Sequence, residues 1–210
     1  MSNEKSIRAF LAIEPPVEIR KEIGNIQCRL KRSCPFDIRW VKPDGIHLTL
    51  KFFGNVSEAD IIAISGVAER NTQTVAPLHF EVKKLGLFPS QKRPRVLWIG
   101  LGGDTASLFA LQDRMERGFE ECGFPKEDRP FRAHLTLGRI KAPDEAGVLA
   151  KIMEDSGDCA AGSFIACGLG LFKSDLMPQG AVYTKLAWFP FKMGQDHCCP
   201  NVSQINSAGC

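Results

Sequence analysis

The chain has 210 residues, enough for one substantial domain or two small lobes sharing a core, and its 44% hydrophobic and 24% charged composition is that of an ordinary globular protein. No apolar run reaches the ~18 residues of a membrane-spanning helix, and the polar start Met1 to Lys5, ahead of a short strand-like stretch, does not read as a secretory signal, so a cytoplasmic protein without a membrane partner is expected. A net charge of +3 admits a phosphate or nucleic-acid ligand but is too small for a protein that lives by nonspecific nucleic-acid affinity.

Ile7 to Ile13 reads as a buried first strand, broken by Glu14-Pro15-Pro16. The proline pair can open a helix over Val17 to Lys31, where Ile19, Ile23, Ile26 and Leu30 recur at helical spacing. Ile38 to Val41 is a short strand, and Lys42-Pro43-Asp44-Gly45 is a turn. A longer strand follows over Ile46 to Phe53, closed by Gly54-Asn55. Ser57, with Asp60 three residues on, caps a helix reaching about Thr72. Two strands are expected at Leu78 to Leu87 and Arg95 to Leu101, joined by a linker that carries Pro89, Lys92, Arg93 and Pro94. A helix is expected over Ser107 to Cys122, stopped by Gly123, and a charged loop with Arg129 leads into a strand over Ala133 to Ile140. Pro143 opens a helix over Asp144 to Asp155, and the last two strands span Ser163 to Lys173 and Gly180 to Phe189. Beyond Pro190 the pattern dissolves. We therefore read residues 1–191 as a single domain of two pseudo-symmetric lobes and residues 192–210 as a disordered tail.

One phrase occurs twice: His47-Leu48-Thr49-Leu50 and His134-Leu135-Thr136-Leu137. Side chains alternate along a strand, so each His and Thr share one face and each leucine pair the other. Both copies follow a turn or loop and precede a helix. This predicts an α+β protein with a duplicated two-lobed domain: two antiparallel sheets face each other across a central cleft, with helices on the outside. The chain has four histidines, and spending two of them on matching strands points to a shared site; His79 is expected to be structural or exposed.

Imidazole titrates near pH 6.5, so two copies can serve as an acid and a base together. Splitting a cyclic phosphodiester needs that pair on opposite sides of phosphorus, because attacking and leaving oxygens are roughly in line. The hydroxyls of Thr49 and Thr136 can donate to phosphate oxygens between the rings. By strict alternation Lys51 and Phe53 share the face of His47 and Thr49, so Lys51 is a candidate for phosphate, with a snorkelling surface lysine as the equal alternative. Phe53, Tyr183 and Phe131 are candidates to stack on a base, whereas Trp40, Trp98 and Trp188 are expected in the core. No metal is expected, since neither motif strand offers a third ligand with recognisable spacing. Of the eight cysteines, Cys28, Cys34, Cys122, Cys159 and Cys167 are scattered, and Cys198, Cys199 and Cys210 lie with His197 in the tail without recognised metal geometry. They are expected as reduced thiols.

The double motif, with Arg8-Ala9-Phe10-Leu11-Ala12-Ile13, WVKPDGIHLTLKFFGNV from Trp40, RPRVLWIG from Arg93, FRAHLTLGR from Phe131 and SDLMPQGAVY from Ser174, resembles the 2H phosphoesterase superfamily. More narrowly it resembles the RNA 2′,3′-cyclic phosphodiesterases, long called 2′-5′ RNA ligases. The resemblance implies metal-free, cofactor-free hydrolysis of a terminal ribose 2′,3′-cyclic phosphate to a 2′-phosphomonoester, on RNA ends or nucleotides; the chain itself is expected as a monomer. It implies His47 as general acid toward O3′, His134 as general base for water, Thr49 and Thr136 on phosphate oxygens, and an arginine after the second motif, here Arg139. Strict alternation turns Arg139 to the leucine face, so either Gly138 permits a bulge that re-aims it or the strand has ended there. The rival readings are 2′-5′ RNA ligation through the same site, a noncatalytic RNA-end or nucleotide-binding protein, and a metal-binding protein.

Overall fold

The computed structural model describes residues 6–33, 37–90, 93–141, 159–178 and 180–192. The expected helix from Asp144, the linker residue Lys92, Cys34 and the tail with His197 lie outside the described residues.

Among the described residues, nine strands and three α-helices are arranged in the order β1 (Ile7–Ile13), α1 (Val17–Ser33), β2 (Ile38–Trp40), a 3₁₀ turn (Pro43–Gly45), β3 (Leu48–Val56), α2 (Glu58–Thr72), β4 (Leu78–Phe88), β5 (Val96–Gly103), α3 (Thr105–Glu121), β6 (His134–Ile140), β7 (Ala160–Ala166), β8 (Gly168–Met177) and β9 (Gly180–Pro190). They form two antiparallel sheets, one ordered β3-β1-β8-β9 and the other β2-β6-β5-β4-β7. If the short edge strand β2 is set aside, the orders correspond. In each sheet a strand, a helix and a partner strand (β1-α1-β3 and β5-α3-β6) carry a His-x-Thr phrase on the last member. The duplication expected from the repeated tetrapeptide is thus a duplication of topology.

The leucines of the motif explain why these strands hold their places. Leu48, Leu50, Leu135 and Leu137 are almost fully buried in one apolar core that draws on both sheets and all three of these helices. Each contributes about 1.5–3 kcal/mol by leaving water, which fixes which face of β3 and β6 turns away from the core. α2 starts as the sequence dictates: the Ser57 hydroxyl accepts from the Asp60 backbone N–H while the Asp60 carboxylate accepts from the Ser57 N–H. α3 begins two residues earlier than expected, and Asp104 does not cap it, because the Asp104 carboxylate accepts instead from the His79 backbone N–H at 2.8 Å.

One expected strand is two. The stretch read as Ser163 to Lys173 divides at Cys167: β7 pairs with β4 in the second sheet, and β8 pairs with β1 in the first. The apolar alternation runs on through the crossing, so only the choice of partner strand marks it. Cys28, Cys122 and Cys159 are free thiols as expected, but Cys167 is disulfide-bonded, which the scattered spacing of the cysteines did not indicate.

Candidate active site

The two motif strands approach one another where the sheets meet. His47 closes the turn into β3, and its Nδ1–H donates to the Gly45 carbonyl at 2.9 Å. His134 opens β6, and its Nδ1–H donates to the Arg132 carbonyl at 2.7 Å. Each ring is therefore oriented by the carbonyl two residues before it. A carbonyl can only accept, so the neutral ring keeps its lone pair on Nε2.

Aromatic side chains from neighbouring strands hold the two rings. Phe10 of β1 stacks on His47 with centroids 4.7 Å apart, and Tyr183 of β9 meets the same ring edge-on at 5.1 Å. Phe88 of β4 meets His134 edge-on at 4.9 Å, with Trp98 of β5 at 6.2 Å. Burial lowers the pKa of both histidines below the ordinary value. The nearby charges differ. For His47 the Gly45 carbonyl and the Glu14 carboxylate offset part of the lowering, and the charge of His134 adds to it. For His134 the Arg132 carbonyl offsets it and the Arg139 guanidinium adds to it. The charge of His134 thus bears on His47, and the two rings differ in their other charged neighbour, a carboxylate for His47 and a guanidinium for His134. A cavity of about 120 Å³ opens beside His47, lined by Phe10, Glu14, Asp44, Phe172, Tyr183 and Lys185. Thr49 and Thr136 are partly exposed two residues beyond each histidine, and neither hydroxyl has a hydrogen-bond partner among the described residues.

Two bulges correct the alternation assumed from the sequence. Along β1, Ala12 faces Thr49 but the adjacent Leu11 faces Lys51, so β3 carries an extra residue at Leu50. Lys51 and Phe52 change face, until a second extra residue at Phe53, between the Phe10–Phe52 and Ala9–Gly54 pairs, restores the alternation as far as Val56. Lys51 consequently does not reach the cleft. Its ammonium is buried, donating to both Glu116 carboxylate oxygens at 3.0 and 2.9 Å and to the Pro125 carbonyl at 2.8 Å. All three of its donors are used, as a buried lysine requires. Phe53 is likewise drawn away, packing edge-on against Phe119 and Phe124. Phe52, half exposed, takes the cleft position beside Phe10, with centroids 5.5 Å apart. In β6, Trp98 faces Thr136 while Leu97 faces Gly138, so the extra residue is Leu137. This bulge turns Arg139 onto the His134 face, where its charge bears on both His134 and Tyr183.

Tyr183 therefore joins His47, His134 and Arg139, while Phe131 packs against Phe109 at 5.7 Å, away from both histidines. Trp98, expected in the core, stands beside Thr136 on the cleft face. Phe10, Glu14, Phe52 and Trp98 were missed as site residues. The one available signal was in β1, whose IRAFLAI is apolar on both faces: Ala9, Leu11 and Ile13 join the main core, and Phe10 and Ala12 form a second cluster with Phe172 under the cleft. Among the described residues no group of three or more His, Cys, Asp or Glu gathers to hold a metal ion, and no helix is long and apolar enough to cross a membrane.

The family model described as LigT like Phosphoesterase matches residues 13–98 and 101–183. The chain is 32% identical over 184 residues to an RNA 2′,3′-cyclic phosphodiesterase of Methanothermobacter thermautotrophicus, covering 87% of this chain and 98% of that one. It is 34% identical over 154 residues to the same-named protein of Aeropyrum pernix, covering 71% and 84%. Among solved structures, E. coli LigT complexed with 3′-AMP superposes with a TM-score of 0.74 at 27% identity, covering 90% of this chain and 100% of that one. The crystal structure of a Thermus thermophilus protein also gives 0.74 at 27% identity, covering 89% and 98%.

Proposed function

The chain belongs to the LigT-like phosphoesterase family, and on that premise we propose that it is an RNA 2′,3′-cyclic phosphodiesterase that opens a terminal ribose cyclic phosphate to a 2′-phosphomonoester. The observation that carries this reading is the matched pair of rings. One stands on each sheet, each has Nδ1 tied to a backbone carbonyl, and each therefore has Nε2 available for proton transfer.

In the proposed reaction the neutral His134 removes a proton from water at Nε2, and the water oxygen bonds to phosphorus. The P–O3′ bond breaks as protonated His47 delivers its proton to O3′, which leaves the phosphate on O2′. The proton has then passed from His47 to O3′ and from water to His134, and exchange with solvent restores both rings. The negative Glu14 beside His47 and the positive Arg139 beside His134 support this assignment of acid and base. Thr49 and Thr136 donate to the nonbridging oxygens, and Arg139 offsets charge that builds on them. Phe52 and Tyr183, both exposed and both packed on Phe10, offer faces on which a base can stack.

The test is product analysis on an RNA ending in a 2′,3′-cyclic phosphate. A 2′-phosphate is expected, and its loss is expected in both His47→Ala and His134→Ala. Joining to a 5′-hydroxyl strand in place of hydrolysis would favour ligation, and binding without turnover would favour a noncatalytic protein.

A further inference from the structure

The cleft face of the second sheet carries a second arginine that the hydrolytic step does not use. Arg39 of β2 and Arg139 of β6 are directly opposed in the strand register. Their neighbours fix the side on which they stand. Ile38 and Ile140, the next pair along, are both buried in the core, and Trp40 packs against that core beside Gly138. Arg39 and Arg139 therefore project from the other face, both exposed, in the row that continues through Val96 to Phe88. Like charges directly opposed across a strand pair, roughly 5 Å apart at Cβ, are destabilising unless something negative lies between them. Among the described residues nothing negative does so. Neither guanidinium makes a hydrogen bond or ion pair there, and Asp37, the carboxylate on the approach to β2, is paired with Lys141.

The bulge at Leu137 sets the distance to the reacting centre. Because Thr136 faces Trp98 and Arg139 faces Val96, the two lie one step apart on the same face, which is about 7 Å along the sheet. Arg39 is one strand further out. An anion held between the arginines thus lies about one nucleotide from the phosphorus held by the threonines. In a nucleotide ending in a 2′,3′-cyclic phosphate, the next anion is the phosphate on its own 5′-oxygen.

We propose that Arg39 and Arg139 form a second phosphate subsite that takes the 5′-phosphate of the terminal nucleotide, so that the enzyme selects strand ends over free nucleosides bearing the cyclic ring. The proposal rests on the hydrolase reading and names its preferred substrate. Arg39 is the discriminating member, because Arg139 also serves the reacting phosphate.

The experiment compares a nucleoside 2′,3′-cyclic phosphate with and without a 5′-phosphate. The wild type is expected to favour the 5′-phosphorylated substrate in kcat/KM. Arg39→Ala should reduce that preference about tenfold, the loss of one charge-assisted hydrogen-bonding partner, and Arg39→Lys should restore part of it. The melting temperature of Arg39→Ala should not fall, since a like-charge contact is removed. A preference unchanged in Arg39→Ala, including one that persists while turnover falls equally on both substrates, overturns the subsite. Should the wild type turn over neither substrate, the hydrolase reading fails by itself. The subsite is then read from binding of the same two nucleotides, where an affinity ratio insensitive to Arg39→Ala overturns it.

Discussion

Two imidazoles that differ in their nearest charge make the pH dependence informative. The reaction as proposed needs His134 neutral and His47 protonated, so the pH–rate curve is expected to be bell-shaped, with limbs that belong to the coupled pair. Burial lowers both pKa values, so the active window is displaced to the acid side of ordinary imidazole. A profile flat from about pH 5 to 9 with chemistry rate-limiting would count against paired imidazole catalysis. Glu14→Gln removes the carboxylate that favours protonated His47 and leaves Lys185 without its partner. Both changes push the His47 pKa further down, so the alkaline limb should move to lower pH while the fold persists; an unmoved limb would remove Glu14 from the proton balance. The same burial bears on stability. Below the ordinary histidine pKa of ~6.5 the unfolded chain binds protons that the native rings resist, so this contribution is present above that pH and is lost as the pH falls through the lower native values.

Among elements, the bulges in β3 and β6 decide which side chains meet the substrate. At Gly138 a Cβ would stand 2.5 Å from Cγ2 of Ile38, so this position is kept open for the close approach of β2. Gly138→Ala should cost about 1–3 kcal/mol by overpacking and lower kcat/KM by moving Arg139. The added substitution Ile38→Ala, which removes Cγ2, should recover part of the lost kcat/KM, and a fully active, fully stable Gly138→Ala would show that the bulge does not depend on this contact. Lys51 allows the converse test. Lys51→Ala strands Glu116 as a buried unpaired carboxylate, which costs about 3–5 kcal/mol, yet it should leave kcat/KM within a few-fold. Denaturant melts read beside activity separate this from a phosphate-binding lysine, whose loss would lower activity at unchanged stability.

For the molecule as a whole, the feature that matters is that two sheets share one core. Leu48 and Leu50 from the first sheet and Leu135 and Leu137 from the second belong to the same buried cluster, and the chain passes from one sheet to the other between β7 and β8. Neither lobe can open without exposing the apolar face of the other. A single thermal unfolding transition is therefore expected, with near-ultraviolet and far-ultraviolet signals coincident; two resolved transitions would show the lobes to be separate folding units.

The sequence by itself determined the paired strands, their leucine anchors, the capped α2 and the two His-x-Thr faces, because alternation and capping are local and each reports on only a few neighbouring residues. It also supplied Tyr183 and Arg139, but left the facing of Arg139 open between a bulge and a strand end. Whatever depended on a partner distant in the chain was decided only by the tertiary structure. Extra residues at Leu50 and Leu137 exist only relative to β1 and β5, and they sent Lys51 to Glu116, Phe52 to the cleft and Arg139 to His134. A one-residue offset in pairing reverses every side chain beyond it, and no run of polar and apolar letters records which strand will be lying alongside.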